Sequence, residues 1–490
     1  MAYPQTSFIH TSLTPDTLLG QRRQAVSANT LQYQLDVLKK TGRYDAFKLK
    51  WHPVYDRAPE VWPIPDHLFW DSDVAKWIEG ACYFLQQQSM PAIAKAVDEL
   101  VDMIRSAQQP DGYLNIHYTV VDPGNRFTNL KDMHELYNCG HLIEAALAHQ
   151  ALCRNDQLLS PICSYVDLLC KVFGPGPDQT HGYPGHPEID LDRKFADIME
   201  LCLYNAVLTA MSTDGKKFTY VNQLASSDKD LSERDDWFTV ACCPPNMLRL
   251  LGTIGGYIWT YNAMAEYRSA HIDVHLYVGA KLTFDCGSDI VELQQETNWP
   301  SSGDVEFSLR SKSAKVDIRL RIPGWAESWK ITPECPDAEM KKGYLRIRSN
   351  WLEKNPDFTL SIPLKPRLLL SHPLTNQNTL TIARGPVVYC VEDVDNAWVE
   401  DHFESVLLSA ECKITEEEVH DPKSGISYVA LNVTKGASIL DTRAFEETPF
   451  LTNDKLSKGK PLQELKFVPY YFRANRGGKG HMRVGLKKTN

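Results

Sequence analysis

The chain has 490 residues, 43% of them hydrophobic, and its formal net charge at pH 7 is −10. This length exceeds one ordinary domain, and the composition supplies enough apolar surface for two or three buried cores. Charges of both signs are mixed and long basic runs are missing. This excludes the charge pattern of a protein that binds nucleic acid or an anionic membrane.

Targeting signals and membrane spans are also missing from the sequence. No stretch approaches the roughly 18 consecutive apolar residues of a membrane span, and residues 1–24 lack the apolar core of a secretory signal. We therefore expect a cytoplasmic protein with no membrane partner. The twelve cysteines have no repeating spacing. In a reducing compartment such cysteines are buried thiols or, for a few, metal ligands or catalytic groups.

Up to about residue 268, apolar residues recur three and four positions apart, which predicts α-helices. Seven helices are expected, near residues 15–40, 72–88, 91–108, 131–153, 160–173, 193–211 and 245–261. Asp71 or Ser72, Pro91 and Pro245 mark three of the helix starts. Residues of these types favour the cap or the first turn of a helix.

Beyond residue 268, apolar and polar residues alternate, which predicts β-strands. Examples are residues 271–278, 315–322, 344–349, 357–364, 379–384 and 427–433. We expect two antiparallel β-sandwich modules with a boundary near Pro366. The predicted fold class is therefore α + β multidomain, with a helical domain at residues 1–268 followed by β-sandwich domains at 269–366 and 367–490.

Two adjacent cysteines open the stretch 241-ACCPPNMLRLLG-252. Proline is favoured in the first turn of a helix, so the two prolines that follow place Cys242 and Cys243 at a helix N-terminus. Free backbone N–H groups and the helix dipole stabilise a thiolate there, and a thiolate can attack an electrophilic carbon or bind zinc. The alternative is a structural pair of small thiols packed at the helix start.

A second group of polar residues lies in 134-HELYNCGHLIEAALAH-149. His134, Asn138 and His141 are spaced four and three positions apart, so on a helix they share one face. Neutral hydrogen-bonding groups of this kind suit the hydroxyls of a sugar. The alternative is that each is a buried residue whose hydrogen bonds are made within the protein.

Two turn-rich segments, 108-QQPDGYLN-115 and 181-HGYPGHPEIDL-191, join predicted helices. Loops at one end of a helical domain commonly bind ligands. Their polar side chains are therefore candidate ligand contacts, namely Asp111, Tyr113, His181, His186 and Glu188.

Stretches along nearly the whole chain resemble, in order, glycoside hydrolase family 127, also called DUF1680. They are DSDVAKWIEG (71–80), QQPDGYLN, HELYNCGHLIEAALAH, GYPGHPEI, ELCLYNAVL (200–208), DGKKFTYVNQL (214–224), CCPPNMLRLL, LRIPGWAE (320–327), ARGPVVYCVE (383–392) and FVPYYFRANRG (467–477). The resemblance implies an (α/α)6-type helical barrel followed by two β-sandwich modules. It also implies an exo-acting β-L-arabinofuranosidase with a retaining mechanism.

The resemblance further implies the site residues. The nucleophile of the family is a cysteine held on zinc, which assigns attack on the anomeric carbon to Cys242 and makes Cys242 and Cys243 zinc ligands. His134, His186 and Tyr220 are implied as substrate-binding residues. Zinc lowers the pKa of a thiol, so that a thiolate exists near neutral pH, and it makes sulfur a better leaving group.

The chain departs from the family between its GHPEI and ELCLYN motifs. Here 187-PEIDLDRKFADIMELCLYN-205 runs directly from one motif into the other, which indicates an internal deletion near residues 190–193. The family's E-T-C-A motif, whose Glu and Cys complete the zinc site, and its acid/base Glu are missing with it. About seven helices cannot close a ring of six hairpins, so we expect an incomplete barrel with exposed apolar faces and poor solubility.

The sequence Glu200-Leu201-Cys202 also reads E-x-C. Residues two apart on a helix point about 200° away from each other and are badly placed to hold one ion. We therefore do not expect Cys202 to be a zinc ligand. Two cysteines without the other ligands predict weak or no zinc binding. Glu188 is the one carboxylate that the sequence offers as a replacement proton donor.

Four hypotheses follow for function. The first is a family 127 enzyme that cleaves β-L-arabinofuranosyl or a related furanosyl residue from a small carbohydrate through Cys242. The second is a catalytically inactive relative that binds carbohydrate. The third is a truncated gene product, for example one with an exon removed. The fourth, from another enzyme class, is a helical-barrel hydrolase or lyase directed at uronic-acid sugars, in which the cysteine pair is structural. The sequence sets no oligomeric state.

Overall fold

The computed structural model of the protein describes residues 3–50, 66–173, 179, 193–241, 243–440 and 459–489. The chain forms two compact units. The first contains residues 1–22, 191–235 and 255–490, and the second contains residues 23–190 and 236–254. Among the described residues, no helix is both long enough and apolar enough to cross a membrane.

The helices lie where the apolar spacing predicts them. The described helices are α1 (Pro4–Ser7), α2 (Leu18–Ala25), α3 (Leu31–Lys40), α4 (Trp70–Leu85), α5 (Pro91–Ala107), α6 (His117–Val120), α7 (Leu130–Met133), α8 (Glu135–Cys153), α9 (Leu159–Val172), α10 (Arg193–Cys202), α11 (Cys243–Thr253), α12 (Gly255–Ile258) and α13 (Ser349–Leu352). Helix α5 begins at Pro91, as predicted, because proline has no backbone N–H that the first turn would leave unbonded.

The start of α4 differs from the prediction. The helix begins at Trp70, and the residue before it caps no backbone group with its side chain. Asp71 therefore lies inside the first turn, where its carboxylate accepts a hydrogen bond from the backbone N–H of Ile116 at 3.0 Å. Burial raises the pKa of Asp71 to about 7. The Asp71 carboxylate thus accepts a hydrogen bond from a distant backbone N–H instead of capping the first turn of α4.

The end of α11 also differs from the prediction. The sequence predicts a helix to residue 261, but α11 ends at Thr253, the short α12 follows, and a strand begins at Trp259. A Cβ atom at Gly256 would lie 2.3 Å from the carbonyl oxygen of Pro4. The N-terminal segment therefore packs directly against this backbone, and only glycine fits at that position.

The strands follow the predicted alternation. The described strands are β1 (Thr11–Leu13), β2 (Trp259–Met264), β3 (Ser269–Val274), β4 (Ala280–Cys286), β5 (Asp289–Glu296), β6 (Asp304–Arg310), β7 (Lys315–Arg321), β8 (Lys330–Thr332), β9 (Glu339–Lys341), β10 (Tyr344–Ile347), β11 (Asp357–Ser361), β12 (Pro366–Leu370), β13 (Thr379–Arg384), β14 (Val387–Glu392), β15 (Val406–His420), β16 (Ser427–Ile439), β17 (Lys460–Pro461), β18 (Leu465–Pro469), β19 (Met482–Arg483) and β20 (Leu486–Lys488). Each of the six strands predicted from the sequence is present.

The strands form three sheets. One has the order β1-β4-β5-β6-β11-β8, the second β2-β3-β7-β10-β9, and the third is nine-stranded and contains β12 to β20. The prediction of purely antiparallel sheets is wrong, because β3 pairs with β7 and β15 pairs with β20 in parallel. Alternation identifies a strand but not its direction. Strands β4, β5 and β6, which lie between β3 and β7 in the chain, belong to another sheet. When the chain comes back to the sheet of β3, strand β7 runs in the same direction as β3.

Helix α10 is attached to β7 by buried ion pairs. The guanidinium of Arg321 is fully buried and pairs with Asp197 at 2.6 Å and with Glu200 at 2.8 Å. The backbone N–H of Gly324 donates a second hydrogen bond to Asp197, at 3.0 Å. Two separate stretches of the sequence, ELCLYN and LRIPGW, thus meet through one arginine. A buried arginine requires such partners because an unpaired charge in the interior is very costly.

Replacing this arginine should destabilise the first unit. We expect Arg321→Met to lower the free energy of unfolding by about 3–5 kcal/mol, because it leaves two carboxylates without their cation. The matched control is Arg346→Met in the same sheet, whose pair with Asp317 at 2.6 Å is partly exposed. The control should cost less than about 1 kcal/mol. Urea unfolding followed by circular dichroism measures both, and equal costs would contradict the assignment.

Candidate active site

The cysteine pair stands at the start of α11. Cys243 is the first residue of the helix and is partly buried. Pro244 and Pro245 follow it in the first turn, where the missing N–H of proline costs no hydrogen bond. The carbonyl of Pro244 accepts a hydrogen bond from Gln34 Nε2 at 3.0 Å. The prediction that Cys243 lies at a helix N-terminus is confirmed, whereas Cys242 lies outside the described residues.

Helices α4 and α11 pack closely and run in the same direction. Gly80 of α4 faces Leu248 of α11, and Tyr83 one turn later faces Gly252, so the contact advances along both helices together. A Cβ atom at Gly80 would lie 2.6 Å from Leu248 Cγ. Glycine is therefore required for this close approach, which holds the helix that starts at Cys243 against α4.

Helices α4 and α8 also run in the same direction. Lys76 Nζ donates a hydrogen bond to the hydroxyl of Tyr137 at 2.6 Å. One turn further along both helices, the polar side-chain atoms of Glu79, His141 and Glu144 all lie within 4.8 Å of one another. Polar side chains of α4 and α8 therefore contact each other at successive helical turns.

One guanidinium, that of Arg249 on α11, joins the three helices. It forms ion pairs with Glu79 of α4 and, at 2.5 Å, with Glu144 of α8. His141 Nδ1 lies 2.9 Å from the Glu144 carboxylate, and the Tyr83 hydroxyl donates to Glu79 at 2.7 Å. Burial raises the pKa of Glu79 to about 7, although the positive charge of Arg249 acts to lower it. Burial also lowers the pKa of His141. This Arg249 network fixes the three helices relative to one another.

The three residues predicted to share one helical face have different roles. His134 precedes α8 with a φ angle of 54°, and its ring centre lies 5.1 Å from that of Phe69. Asn138 is buried and its amide donates to the carbonyl of Leu68 at 3.0 Å. His141 belongs to the Arg249 network. Within the described residues the His134 imidazole makes no hydrogen bond, so it keeps its ring nitrogens available for a ligand.

The segment at residues 108–115 contributes packing contacts. Tyr113 is buried and its hydroxyl donates to the Glu135 carboxylate. Asp111 forms an ion pair with Arg126 at 2.8 Å. The structure therefore assigns these two candidate ligand residues to hydrogen bonds and ion pairs within the protein.

The other predicted site residues remain predictions. His181, His186 and Glu188 lie outside the described residues, as Cys242 does. Tyr220 is 44% exposed and belongs to the first unit. Its proposed contact with substrate is not tested by its position.

The two possible ligands in the E-x-C sequence of α10 have different surroundings. Glu200 is buried and its carboxylate pairs with Arg321 at 2.8 Å. Cys202, two residues later, is exposed. The two side chains lie in different environments, in agreement with the helical geometry that argued against a shared ion.

The described residues do not fit the zinc site that the family resemblance implies. Their one cluster of three or more possible metal ligands is Glu79, His141 and Glu144, which contains no cysteine. The guanidinium of Arg249 pairs with both glutamates of this cluster and already supplies a positive charge there. No described cluster of this size includes Cys243. A zinc site normally needs three or four protein ligands.

The sequence analysis missed Glu79 and Arg249 as organising residues. Both lie inside stretches that carry the family resemblance, DSDVAKWIEG and CCPPNMLRLL. The available signal was a charged residue in the interior of an otherwise apolar helix, because a buried charge requires a partner. The sequence did not show that the partner of each lies on the other helix.

Comparison with protein families assigns most of the chain. Residues 13–192 and 188–256 match the catalytic domain of the β-L-arabinofuranosidases of glycoside hydrolase family 127. Residues 271–364 match the middle domain of this family, and residues 366–487 match its C-terminal domain. The helical unit and the sheets thus make up a modular glycoside hydrolase. The chain belongs to glycoside hydrolase family 127.

Individual relatives agree with this assignment. A non-reducing end β-L-arabinofuranosidase from Bifidobacterium longum subsp. longum is 24% identical over 604 aligned positions, covering 85% of this chain and 89% of the relative. The crystal structure of a family 127 β-L-arabinofuranosidase from Geobacillus stearothermophilus T6 is 25% identical, with a TM-score of 0.82, and covers 98% of this chain and 100% of that chain. A second solved β-arabinofuranosidase of the family, 22% identical, shares the fold with a TM-score of 0.79 and covers 99% and 98% of the two chains.

Two of these findings bear on the predicted deletion. The alignment with the Bifidobacterium relative has 604 positions, more than the 490 residues of this chain, so part of the relative has no counterpart here. The catalytic domain is matched by two stretches that overlap at residues 188–192. This overlap coincides with the place where the sequence runs from one family motif directly into a later one.

Removing the shared guanidinium should destabilise the second unit. We expect Arg249→Met to lower the free energy of unfolding by about 3–5 kcal/mol, because the buried carboxylate of Glu79 loses its cation. The pair with Glu144, whose side chain is 45% exposed, should contribute little to this cost. Arg249→Lys should restore part of this loss, since lysine keeps the positive charge but lacks the planar guanidinium that pairs with both carboxylates.

The matched control for this prediction is Arg105→Met in the same unit. Arg105 pairs with Asp102 at 3.5 Å and is largely exposed, so its loss should cost less than about 1 kcal/mol. Thermal and urea unfolding measure all three variants. An Arg249→Met protein as stable as the control would contradict a supporting role for the network.

Proposed function

We propose that the protein is an exo-acting glycosidase that removes β-L-arabinofuranosyl, or a related furanosyl residue, from the non-reducing end of a small carbohydrate. Membership of family 127 supports the enzyme class, and the named activities of the Bifidobacterium and Geobacillus relatives support the substrate. The observation that carries the proposal is the cysteine pair at the start of α11, the helix that Arg249 ties to α4 and α8.

Cys242 is the proposed nucleophile. Its thiolate attacks the anomeric carbon, and a carbon–sulfur bond forms as the bond to the leaving-group oxygen breaks. Water then replaces the sulfur, so the configuration is retained overall. His134, His186 and Tyr220 are proposed to bind the sugar, and Glu188 is the candidate that protonates the leaving oxygen. The supporting observation for His134 is an imidazole without a hydrogen bond among the described residues.

The helical unit is proposed to be an incomplete (α/α)6-type barrel. The parallel helices α4, α8 and α11 form its inner wall. Helices α5 and α9 pack outside, and a short loop connects each of them to the inner helix before it. The β-rich part is proposed to form two sandwich modules, divided where the nine-stranded sheet begins at β12. The chain lacks the helices that complete the ring.

A second candidate function is carbohydrate binding without hydrolysis. The overlap of the two catalytic-domain matches at residues 188–192 favours it, because the missing segment includes two zinc ligands and the proton donor of the family. A truncated gene product would show the same overlap of the two matches. Sequencing the transcript across the codons for Ile189 to Asp197 distinguishes an inherited deletion from a removed exon. The family match gives no support to an enzyme directed at uronic acids.

Substrates with different leaving groups test the proposed nucleophile. We expect slow cleavage of 4-nitrophenyl β-L-arabinofuranoside, because nitrophenolate leaves without a proton. The methyl glycoside needs a proton from a general acid, which typically contributes about 100-fold or more, so it should react at least about 100-fold more slowly unless Glu188 supplies that proton. The sugar should also remain attached to sulfur, giving an intact mass increased by one pentofuranosyl unit.

The adjacent cysteine provides the control for this test. Cys242→Ser should abolish both nitrophenol release and the mass adduct, whereas Cys243→Ser should retain both if no zinc ion is involved. Adduct formation that survives Cys242→Ser would contradict the assignment of the nucleophile. Sugar binding by wild-type protein with neither release nor adduct would establish the binding function instead.

Exposed apolar side chains test the incomplete barrel. On α8, Leu136, Tyr137 and Leu147 are exposed, and apolar groups on an inner helix of a complete barrel would be covered. We expect concentration-dependent association in light scattering, reduced by Leu147→Lys. The control Leu374→Lys, at an exposed residue of the short helical turn Pro373–Thr375 in the first unit, should leave the association unchanged. A monodisperse wild-type protein with one cooperative melting transition would contradict this prediction.

A further inference from the structure

A polar cavity lies among three separate stretches of the first unit. Its volume is about 300 Å³, at the lower end of the range for small-molecule sites. Residues 16–21, which follow β1, form one wall, and the loop at 298–302 after β5 forms another. The remaining wall consists of residues of β15 and β16 together with Tyr471. No described residue of α4, α8 or α11 contributes to it.

Several polar side chains that line this cavity have no hydrogen-bond partner within the described residues. The most informative is Tyr471, which is 5% exposed. It is one of the residues that line the cavity, and its hydroxyl makes no hydrogen bond within the described residues. A buried hydroxyl normally makes a hydrogen bond, so an unbonded one at a cavity wall is available to a ligand. The other unbonded groups are the side chains of Asp16, Gln21, Asn298, Ser301 and Glu418.

The walls of the cavity are held in place by internal bonds. Arg384 is buried and donates to the carbonyls of Pro300 and Ser301, each at 3.0 Å. Its Nε pairs with Glu416 at 3.0 Å. The loop also closes on itself, because the backbone N–H of Ser301 donates to the carbonyl of Asn298 at 2.7 Å. A site held in this way loses little conformational entropy when a ligand binds.

The charge of the lining selects a class of ligand. Two carboxylates, Asp16 and Glu418, line the cavity, and none of its described lining residues is a lysine, arginine or histidine. An anionic ligand such as a phosphate or a uronate would be repelled. Amides, hydroxyls and carboxylates arranged around a small cavity instead match the alternating donors and acceptors of a neutral sugar.

We propose that this cavity is a second carbohydrate site, which binds one or two neutral sugar residues through the side chains of Gln21, Asn298 and Tyr471. The inference goes beyond the proposed hydrolysis, because every lining residue belongs to the first unit whereas Cys243 and His134 belong to the second. A site of this kind retains a longer carbohydrate on the protein while its end is released and rebound.

Titration calorimetry on the full chain tests this site with L-arabinose, a linear arabino-oligosaccharide and galacturonate as probes. We expect the neutral oligosaccharide to bind in the His134→Ala protein. Tyr471→Phe should weaken that binding by about 3- to 10-fold, the typical effect of one hydrogen bond. Because the Tyr471 hydroxyl makes no hydrogen bond within the described residues, this variant should fold like the wild type. Gln21→Ala should weaken binding by a similar factor.

The matched control is Tyr267→Phe, a change of the same kind at a tyrosine that is 73% exposed and outside the cavity. It should leave the affinity unchanged. Equal affinities for the wild type, Tyr471→Phe and Gln21→Ala would overturn the proposal, and so would tighter binding of galacturonate. Nitrophenol release is measured on the same preparations. It reports on the proposed hydrolysis through Cys242, whereas calorimetry reports on sugar binding in the cavity. Sugar binding that depends on Tyr471 stands even if no hydrolysis occurs.

Discussion

The guanidinium of Arg249 is the interaction on which the helical unit depends. It pairs with Glu79 on α4, which is buried, and with Glu144 on α8, whose side chain is 45% exposed. Buried charges are stable only when their partners are in place, so the three helices must keep their relative positions and direction. The helix that is fixed in this way begins at Cys243. The helix that carries Cys243 is therefore held against α4 and α8.

The position of the cysteine pair and the supply of zinc ligands are separate properties. Position comes from α4, α8 and α11, all of which the chain retains. The family resemblance implies that the other zinc ligands and the proton donor belong to a segment that this chain is proposed to have lost near residues 190–193. Arg321 keeps α10, which follows that segment, attached to β7. A deletion near residues 190–193 is thus compatible with ordered packing of the helix that follows it. Fold and family therefore remain clear even if the catalytic machinery is reduced, as we propose.

Much of the fold follows from local sequence patterns, and the errors have a common physical cause. Apolar spacing located the helices and alternation located the strands, because both depend on neighbouring residues. Asp71 was predicted as a cap, but its partner, the N–H of Ile116, lies 45 positions away. Gly256, in the short helix that follows α11, packs against the carbonyl of Pro4, which is 252 positions away in the chain. Likewise, Glu79 and Arg249 pair across 170 positions of the chain. The cysteine pair was recognisable because its signal, two prolines at a helix start, is entirely local.

Zinc content tests most directly whether the chain keeps the helix of the nucleophile without the metal site of the family. Reduced protein would be washed with chelator, incubated with zinc chloride, desalted and analysed for metal by mass spectrometry, beside the Cys243→Ser variant. With two of the implied ligands absent from the sequence, we expect far less than one zinc ion per chain and the same value in the variant. One zinc ion per chain that is lost in Cys243→Ser would contradict this, and would mean that other residues have replaced the missing ligands.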